Sequence, residues 1–402
     1  MSFDVLILDA SYKQSLASAR SLGRAGLRVA LGESVEQFDP SAGLPAFRSR
    51  YCAHHIILPS YAGDGTEYAR GIIDFVRDNP TRVILPVGDA SIASLVPHRE
   101  SLAVLGSRLA VATDAALAVA NDKGRTLELA RRLGIDCPMT MRISQMADLA
   151  GAVAKFGFPL VLKPTVSWTG QGAERVVPVE VVDKAEAEDV ARQILDAGAD
   201  VLAQQWASGR REGVTMFVAG GRVLASCGHV AHRTTPPLGG ASVMRESIPI
   251  PADVKQPSAD LVIAMGLEGV CEVEFRRDSR NLPLLMEVNA RLAGTIENSV
   301  RSGVDFPLMV WQWATETSVD VSASYRTGVR TRWLQGDLRW FRENLHRVGR
   351  PDSVSRRRSL WVFASEFART WHYDYIDLHD LAPGVAEMRG TIASARRLVR
   401  SA

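Results

Sequence analysis

Between Gly269 and Thr295 the chain reads Gly-Val-Cys-Glu-Val-Glu-Phe, then a polar turn from Arg277 to Asn281, then Leu-Leu-Met-Glu-Val-Asn-Ala-Arg-Leu-Ala-Gly-Thr. Two short apolar runs flanking a turn predict a β-hairpin, and strand side chains alternate faces. Glu272, Glu274 and Arg276 then share one face of the first strand, and Glu287, Asn289 and Arg291 one face of the second, with Leu285 beside them. If the two polar faces coincide, three carboxylates, an amide and a guanidinium converge. Buried like charges repel, and desolvated carboxylates are costly unless a cation meets them. Hard divalent ions take carboxylate and amide oxygens and share substrate phosphates, so the hairpin is expected to be a metal–nucleotide site. The alternative is a solvated hairpin carrying ordinary surface charges.

Lysine is scarce, at 6 residues against 41 arginines, so a lysine inside a polar motif is informative. Lys123 follows Asn121-Asp122, either of which can cap a helix, and lies in that helix's first turn, where a cation is disfavoured unless an anion binds nearby. Lys163 ends the buried run Phe156 to Pro164 and precedes a loop containing Thr165, Ser167, Thr169, Gly170, Gln171 and Gly172. Small residues there let backbone N–H groups approach phosphate oxygens. The stretch Val201 to Ala207 reads as a strand entering the loop Ser208 to Glu212. Farther on, His232-Arg233-Thr234-Thr235-Pro236-Pro237-Leu238-Gly239-Gly240-Ala241-Ser242 forbids regular structure and makes a shaped loop. Either that loop is purely structural or it contacts substrate, with Arg233 as its anion ligand.

The elements that must position these groups begin with a βαβ unit: a strand at Asp4 to Leu8, a helix at Gln14 to Ala25 and a strand at Arg28 to Leu31. The first turn lacks GxGxxG, which disfavours a dinucleotide there. Asp89 lies where the chain leaves a strand and enters a helix, as an N-cap or a substrate contact. The 402 residues predict two or three domains, and no apolar run reaches the roughly 20 residues of a membrane-spanning helix. Met-Ser-Phe-Asp-Val opens into a strand rather than a signal peptide, so the cytoplasm is expected. Cys52, Cys137, Cys227 and Cys271 are far apart and form no CxxC, which suggests neither zinc nor a disulfide framework. From Val321 to Ala402 there are 15 arginines against 8 acids, a net +7 that leaves −5 for the rest. This basic segment also holds Trp333, Trp340, Trp361 and Trp371, so a packed helical extension is expected rather than an arm for nucleic acid or membrane.

Taken together, Lys123, Lys163 with its glycine loop, the Gln204 to Ala207 strand end, Glu274 and Glu287-x-Asn289-x-Arg291 resemble the ATP-grasp superfamily in order and spacing over roughly residues 120 to 310. The resemblance implies a multidomain α/β and α+β fold. Its blocks would be a Rossmann-like pre-ATP-grasp domain (1–119), a lid subdomain with entry helix (120–206), a core with the metal-binding hairpin (207–320) and a basic, mainly helical extension (321–402). It implies that Lys123 and Lys163 hold the phosphates of ATP under a loop containing Gly170 and Gly172. Gln204, Gln205, Trp206 and Ala207 would grip adenine, with Glu212 a candidate for the ribose. Glu274, Glu287 and Asn289 would bind Mg²⁺, expected as two ions, and Arg291 would stand near the transferred phosphate. Ala290 replaces the proline common at that position, a change of backbone stiffness rather than of ligands.

More narrowly, the Pro-Pro-x-Gly-Gly-Ala-Ser loop and the C-terminal Asp-Leu-His-Asp-Leu-Ala-Pro segment look like the D-aspartate-ligase-like branch of predicted carboxylate–amine ligases, in which Asp380 and Pro383 are structural. The implied chemistry is attack of a small carboxylate on the γ-phosphate, then amine attack on the acyl phosphate, with the acid near Arg233, Gly239, Gly240, Thr295, Ser11 and Asp89. His229 and His232 are candidate bases for the amine or structurally satisfied histidines. The alternatives are a phosphotransferase or carboxylase of the same superfamily, or an oxidoreductase on the N-terminal domain. Small molecules are the expected partners, a homodimer is a reasonable assembly, and no nucleic acid is expected.

Overall fold

A computed structural model of the chain describes residues 1–39, 43–166, 168, 178–237, 240–321, 324–346, 350–351 and 353–400, the last eight by backbone alone. The chain divides into two compact units: residues 1–111, 291–335 and 370–402, and residues 112–290 and 336–369. The expected extension from 321 onward is thus shared between the two units, rather than forming a block of its own.

The first unit is built on a parallel sheet of β1 (Phe3–Ile7), β2 (Val29–Ser34), β3 (Cys52–Leu58), β4 (Thr81–Leu85) and β5 (Arg108–Leu109), in the order β3-β2-β1-β4-β5. Val5, Leu6, Ile7, Val29, Leu31, Val83 and Ile84 are fully buried, the continuous apolar pattern of a sheet covered on both faces. Asp9 closes β1 at φ 58°. Its carboxylate accepts from Val87 N (3.0 Å), Gly88 N (2.8 Å) and Ser91 Oγ (2.6 Å), tying together the loops that leave β1 and β4. A Cβ on Gly88 would lie 2.8 Å from Asp9 Oδ1, so glycine is required by that approach.

Arg20 anchors the C-terminal segment within the same unit. Its side chain is fully buried and donates to Asp380 Oδ2 (2.9 Å), Asp374 O (2.8 Å) and Tyr375 O (2.9 Å), while Asp380 also accepts from Ser49 Oγ and Arg50 N. A buried charge pair with its lone pairs and protons so fully used is tolerated, whereas either partner alone is not.

The second unit carries two antiparallel sheets. β6 (Thr140–Ile143), β7 (Leu160–Pro164), β8 (Val179–Val181) and β9 (Val201–Gln205) pair in the order β6-β9-β7-β8. Ile143, Leu160, Leu162, Val181, Val201 and Ala203 form a core with Ala187, Ala191 and Ile194 of the helix Lys184–Asp196. The other sheet holds β10 (Arg211–Ala219), β11 (Arg222–Thr235), β12 (Ala241–Ile248), β13 (Gly269–Arg277) and β14 (Pro283–Asn289), with the strands ordered β14-β13-β10-β11-β12. Among the described residues no helix is long and apolar enough to cross a membrane.

The β13–β14 hairpin has the expected turn but one irregularity. Glu272 lies opposite Asn289 and Glu274 opposite Glu287, after which the register shifts so that Phe275 faces Leu285. Met286 is the extra residue of this bulge, and it sends Leu285 to the apolar face, where the side chain is fully buried. The simple alternation that put Leu285 beside Glu287 fails there.

Candidate functional site

One polar face of the second sheet assembles residues from five strands. The pairing aligns Glu287, Glu274, Gly213, His229 and Ser247 in one cross-strand row, with Asn289, Glu272 and Thr215 in the next. Asn289 Nδ2 donates to both Glu274 Oε1 and Glu287 Oε1, each at 3.3 Å, which brings the two carboxylates onto one amide. Burial pushes the Glu274 carboxyl upward in pKa, opposed by Arg211 and reinforced by Glu287 and Glu272. Glu272, left without a role by sequence, accepts from Thr215 Oγ1 at 3.3 Å and lies 3.7 Å from His229 Nε2. Gly213 permits this layer, because a Cβ there would meet the His229 ring at 2.5 Å.

Two lysines approach the pair. Asp122 caps the helix Lys123–Arg132 by accepting from Arg125 N at 3.0 Å, and Lys123 N donates to Thr165 O at 2.9 Å, fixing the helix start to the end of β7. Lys123 Nζ then lies 3.9 Å from Glu287 Oε2. Lys163 Nζ donates to Met286 O, at the bulge, at 3.1 Å. Burial pulls Lys163 down to about 8, with Glu287 opposing and Lys123 adding to the fall.

Lys163, Glu274 and Glu287 line a cleft with Val161, Pro178, Glu180, Gln204, Gln205, Trp206, Ala207, Arg211, Arg276 and Met286. Gln204 Nε2 donates to Thr140 Oγ1 at 2.9 Å, which leaves the amide oxygen as the acceptor. The Arg276 guanidinium stacks 4.3 Å from the Trp206 ring.

The two facing carboxylates fit a hard divalent cation beside lysines suited to phosphate oxygens, and the Asn289 oxygen would join them once the amide turns over. Among the described residues no group of three or more His, Cys, Asp and Glu side chains gathers as a metal site, and Asn289 turns its Nδ2 rather than its oxygen toward both carboxylates.

A family model described as ATP-grasp in the biosynthetic pathway with Ter operon matches residues 242–337. The D-alanine–D-alanine ligase of Ectopseudomonas mendocina is 28% identical over 215 residues, covering 48% of this chain and 64% of the ligase. The chain therefore spans just under two thirds of that relative's length. The L-amino acid ligase of Bacillus licheniformis superposes with a TM-score of 0.63 at 18% identity, covering 81% of this chain and 79% of the other. This is an ATP-grasp fold. Biotin carboxylase from Campylobacter jejuni shares it as well, with a TM-score of 0.62 at 15% identity over 82% and 74% of the two chains.

Several expected site residues of the ATP-grasp frame lie elsewhere or are already engaged. Glu212 was the ribose candidate, but it lies on the opposite face of β10 from Glu274's neighbour Gly213, fully buried, with Arg277 Nη2 at 2.6 Å and Arg210 Nη2 at 2.7 Å. Alternation excludes it from the cleft. Arg233, expected to hold the acid, is buried and forked onto Asp337, with Nε to Oδ1 at 2.6 Å and Nη2 to Oδ2 at 2.8 Å, above the Trp340 ring. Its charge serves the packing of a segment expected as extension. His229 is buried and depressed to about 4, chiefly by desolvation, so it is neutral; His232 Nε2 lies 3.0 Å from Glu246 Oε2. Gly170, Gly172 and Gly239 lie outside the described residues.

Arg291, Asp89, Ser11 and Thr295 belong to the first unit. Arg291 forks onto Asp89, at 2.6 Å and 3.2 Å. Gly88 occupies the cap position, so Asp89 does not act as an N-cap but opens the helix Asp89–Leu95 and holds that arginine. Ser11 N donates to Glu33 Oε2 at 2.6 Å, and Thr295, buried, immediately precedes the helix Ile296–Ser302.

Arg211 and Glu180 are cleft residues that sequence reasoning missed, and Arg276 was given no role there. Alternation along the hairpin did put Arg276 on the polar face, but only the pairing of β10 with β13 places Arg211 beside Glu274.

Proposed function

We propose that the protein is an ATP-dependent carboxylate–amine ligase that forms an amide or peptide-like bond and releases ADP and phosphate. The observation that carries this reading is the facing pair Glu274 and Glu287, bridged by Asn289 and approached by Lys123 and Lys163. The named ligases among the relatives and fold neighbours support it.

In this reading Lys123 and Lys163 meet the phosphate oxygens of ATP, the Gln204 oxygen accepts from the adenine amine, and Trp206 and Ala207 border the ring. Glu274, Glu287 and Asn289 hold Mg²⁺, as two ions. When bound, the metal neutralises charge that develops on the transferred phosphoryl oxygens. The acid attacks the γ-phosphate, releasing ADP and giving an acyl phosphate, and the amine then displaces phosphate. Within the second unit, Gly240 keeps its expected place toward the acid. The finer assignment is to the D-aspartate-ligase-like branch, with the first parallel sheet as pre-ATP-grasp domain, a helical C-terminal extension, a homodimeric assembly and a cytoplasmic setting.

An ADP-release screen over amino acids and small carboxylates in pairs tests this. Turnover that requires both an acid and an amine supports ligation and names the substrates. Bicarbonate dependence would instead support carboxylation, turnover with no amine requirement would indicate a phosphotransferase, and thermal stabilisation by NAD(P) but not by ATP–Mg²⁺ would favour an oxidoreductase.

A further inference from the structure

Arg211 enters the acidic site from β10 and occupies the oxygen that a metal would need. Its Nε donates to Glu274 Oε2 at 2.7 Å, and Nη2 closes on the same oxygen, while Oε1 accepts from Asn289. Both oxygens of Glu274 are therefore engaged by N–H donors. The third edge of the guanidinium is held separately, with Nη1 donating to Gly240 O at 2.7 Å. That carbonyl sits in a tight backbone crossing, since a Cβ on Gly240 would come within 2.0 Å of Thr235 O. Arg211 also lines the same cleft as Lys163, Gln204 and Glu287.

A guanidinium fork and a divalent cation cannot share one carboxylate oxygen at contact distance, because both the positive charges and the ligand directions conflict. We propose that Arg211 is the resident counter-ion of the acidic pair, released from Glu274 by the arriving cation and turned, still tethered through Nη1 to Gly240 O, toward the anionic oxygens of the nucleotide. The fork's Nε and Nη2 donors are the ones set free by this exchange, and bidentate N–H donation is the geometry that suits phosphate oxygens. The exchange keeps the charge of the site balanced: the guanidinium neutralises the carboxylates before loading and the phosphates after it. This inference rests on the metal–nucleotide reading given above.

The test is Mn²⁺ titration of the full chain by electron paramagnetic resonance, first without nucleotide and then with a non-hydrolysable ATP analogue. Without nucleotide, Arg211→Gln is expected to bind Mn²⁺ about tenfold more tightly than the wild type, because a competing cation is gone. With the analogue, the same variant binds the nucleotide more weakly than the wild type. Glu287→Gln, as control, loses Mn²⁺ binding. Equal Mn²⁺ affinity in Arg211→Gln and wild type, with binding still lost in Glu287→Gln, overturns the counter-ion role and leaves the metal reading standing. Mn²⁺ binding unaffected by Glu287→Gln overturns the metal reading itself. Should Arg211→Gln fail to fold, Arg211→Lys replaces it: an ammonium cannot span Glu274 and Gly240 together, so tighter Mn²⁺ binding than wild type is expected, and unchanged binding overturns the proposal.

Discussion

Removing Asp337 separates two roles for Arg233. In the structure the Arg233 guanidinium is 4% exposed and the Asp337 carboxylate fully buried, with two N–H···O contacts at 2.6 and 2.8 Å. Asp337→Ala leaves a buried guanidinium without its carboxylate, a change that costs roughly 3–5 kcal/mol. Replacing both partners with apolar residues, as in Arg233→Met with Asp337→Leu, removes that uncompensated charge and restores most of the loss. Urea denaturation followed by tryptophan fluorescence reads this directly, since Trp340 lies beneath the guanidinium. The midpoint is expected to fall by about 1 M or more in Asp337→Ala and to recover in the double variant. A midpoint unchanged in Asp337→Ala, together with a raised KM for the acid in Arg233→Ala, would refute the packing role and return Arg233 to the substrate.

Glu287→Gln removes one of the two facing carboxylates without changing side-chain volume, so ATP turnover is expected to vanish while circular dichroism stays unchanged; near-normal ADP release would sink the metal assignment. Lys163, lowered to about 8 by burial, is charged in the folded chain only below that pH. Nucleotide affinity should therefore weaken as pH rises from 7.5 to 9.5, by up to about tenfold, and Lys163→Met should flatten the profile in calorimetry. The linked stability has the opposite slope: the unfolded chain binds the extra proton between about 8 and 10.5, so this group's penalty is full below 8 and fades as pH rises toward 10.5. Gly213→Ala places a Cβ 2.5 Å from the His229 ring, and overpacking of this kind costs roughly 1–3 kcal/mol, which thermal unfolding would show.

Much of the candidate site's geometry was legible because its pattern is local. The types and spacing of Glu274, Glu287 and Asn289 on a hairpin require only alternation and a turn, and the register joins them as alternation demands. Lys123 in a first helical turn and Lys163 at a strand end are likewise local signals, as was the parallel opening, where unbroken apolar runs at Val5 to Ile7 and Val29 to Leu31 are buried on both faces. Sequence therefore determined which residue types could hold a cation and phosphates, and in what order along the chain they come.

The tertiary structure decided which charges are already used. Arg233 looked like an anion ligand because its segment reads as an irregular polar loop, yet His232 to Thr235 end the strand β11 and its partner is more than a hundred residues away. Arg291 and Asp89 read as separate candidates and are partners across 202 residues, and Glu212 fell on the other face of its strand. The bulge at Met286 moved Leu285 from the polar to the apolar face, a change that no period-two reading contains. Arg211 reaches Glu274 only through the pairing of β10 with β13, and ion pairs at such separations depend on strand register and burial, which local propensity does not encode.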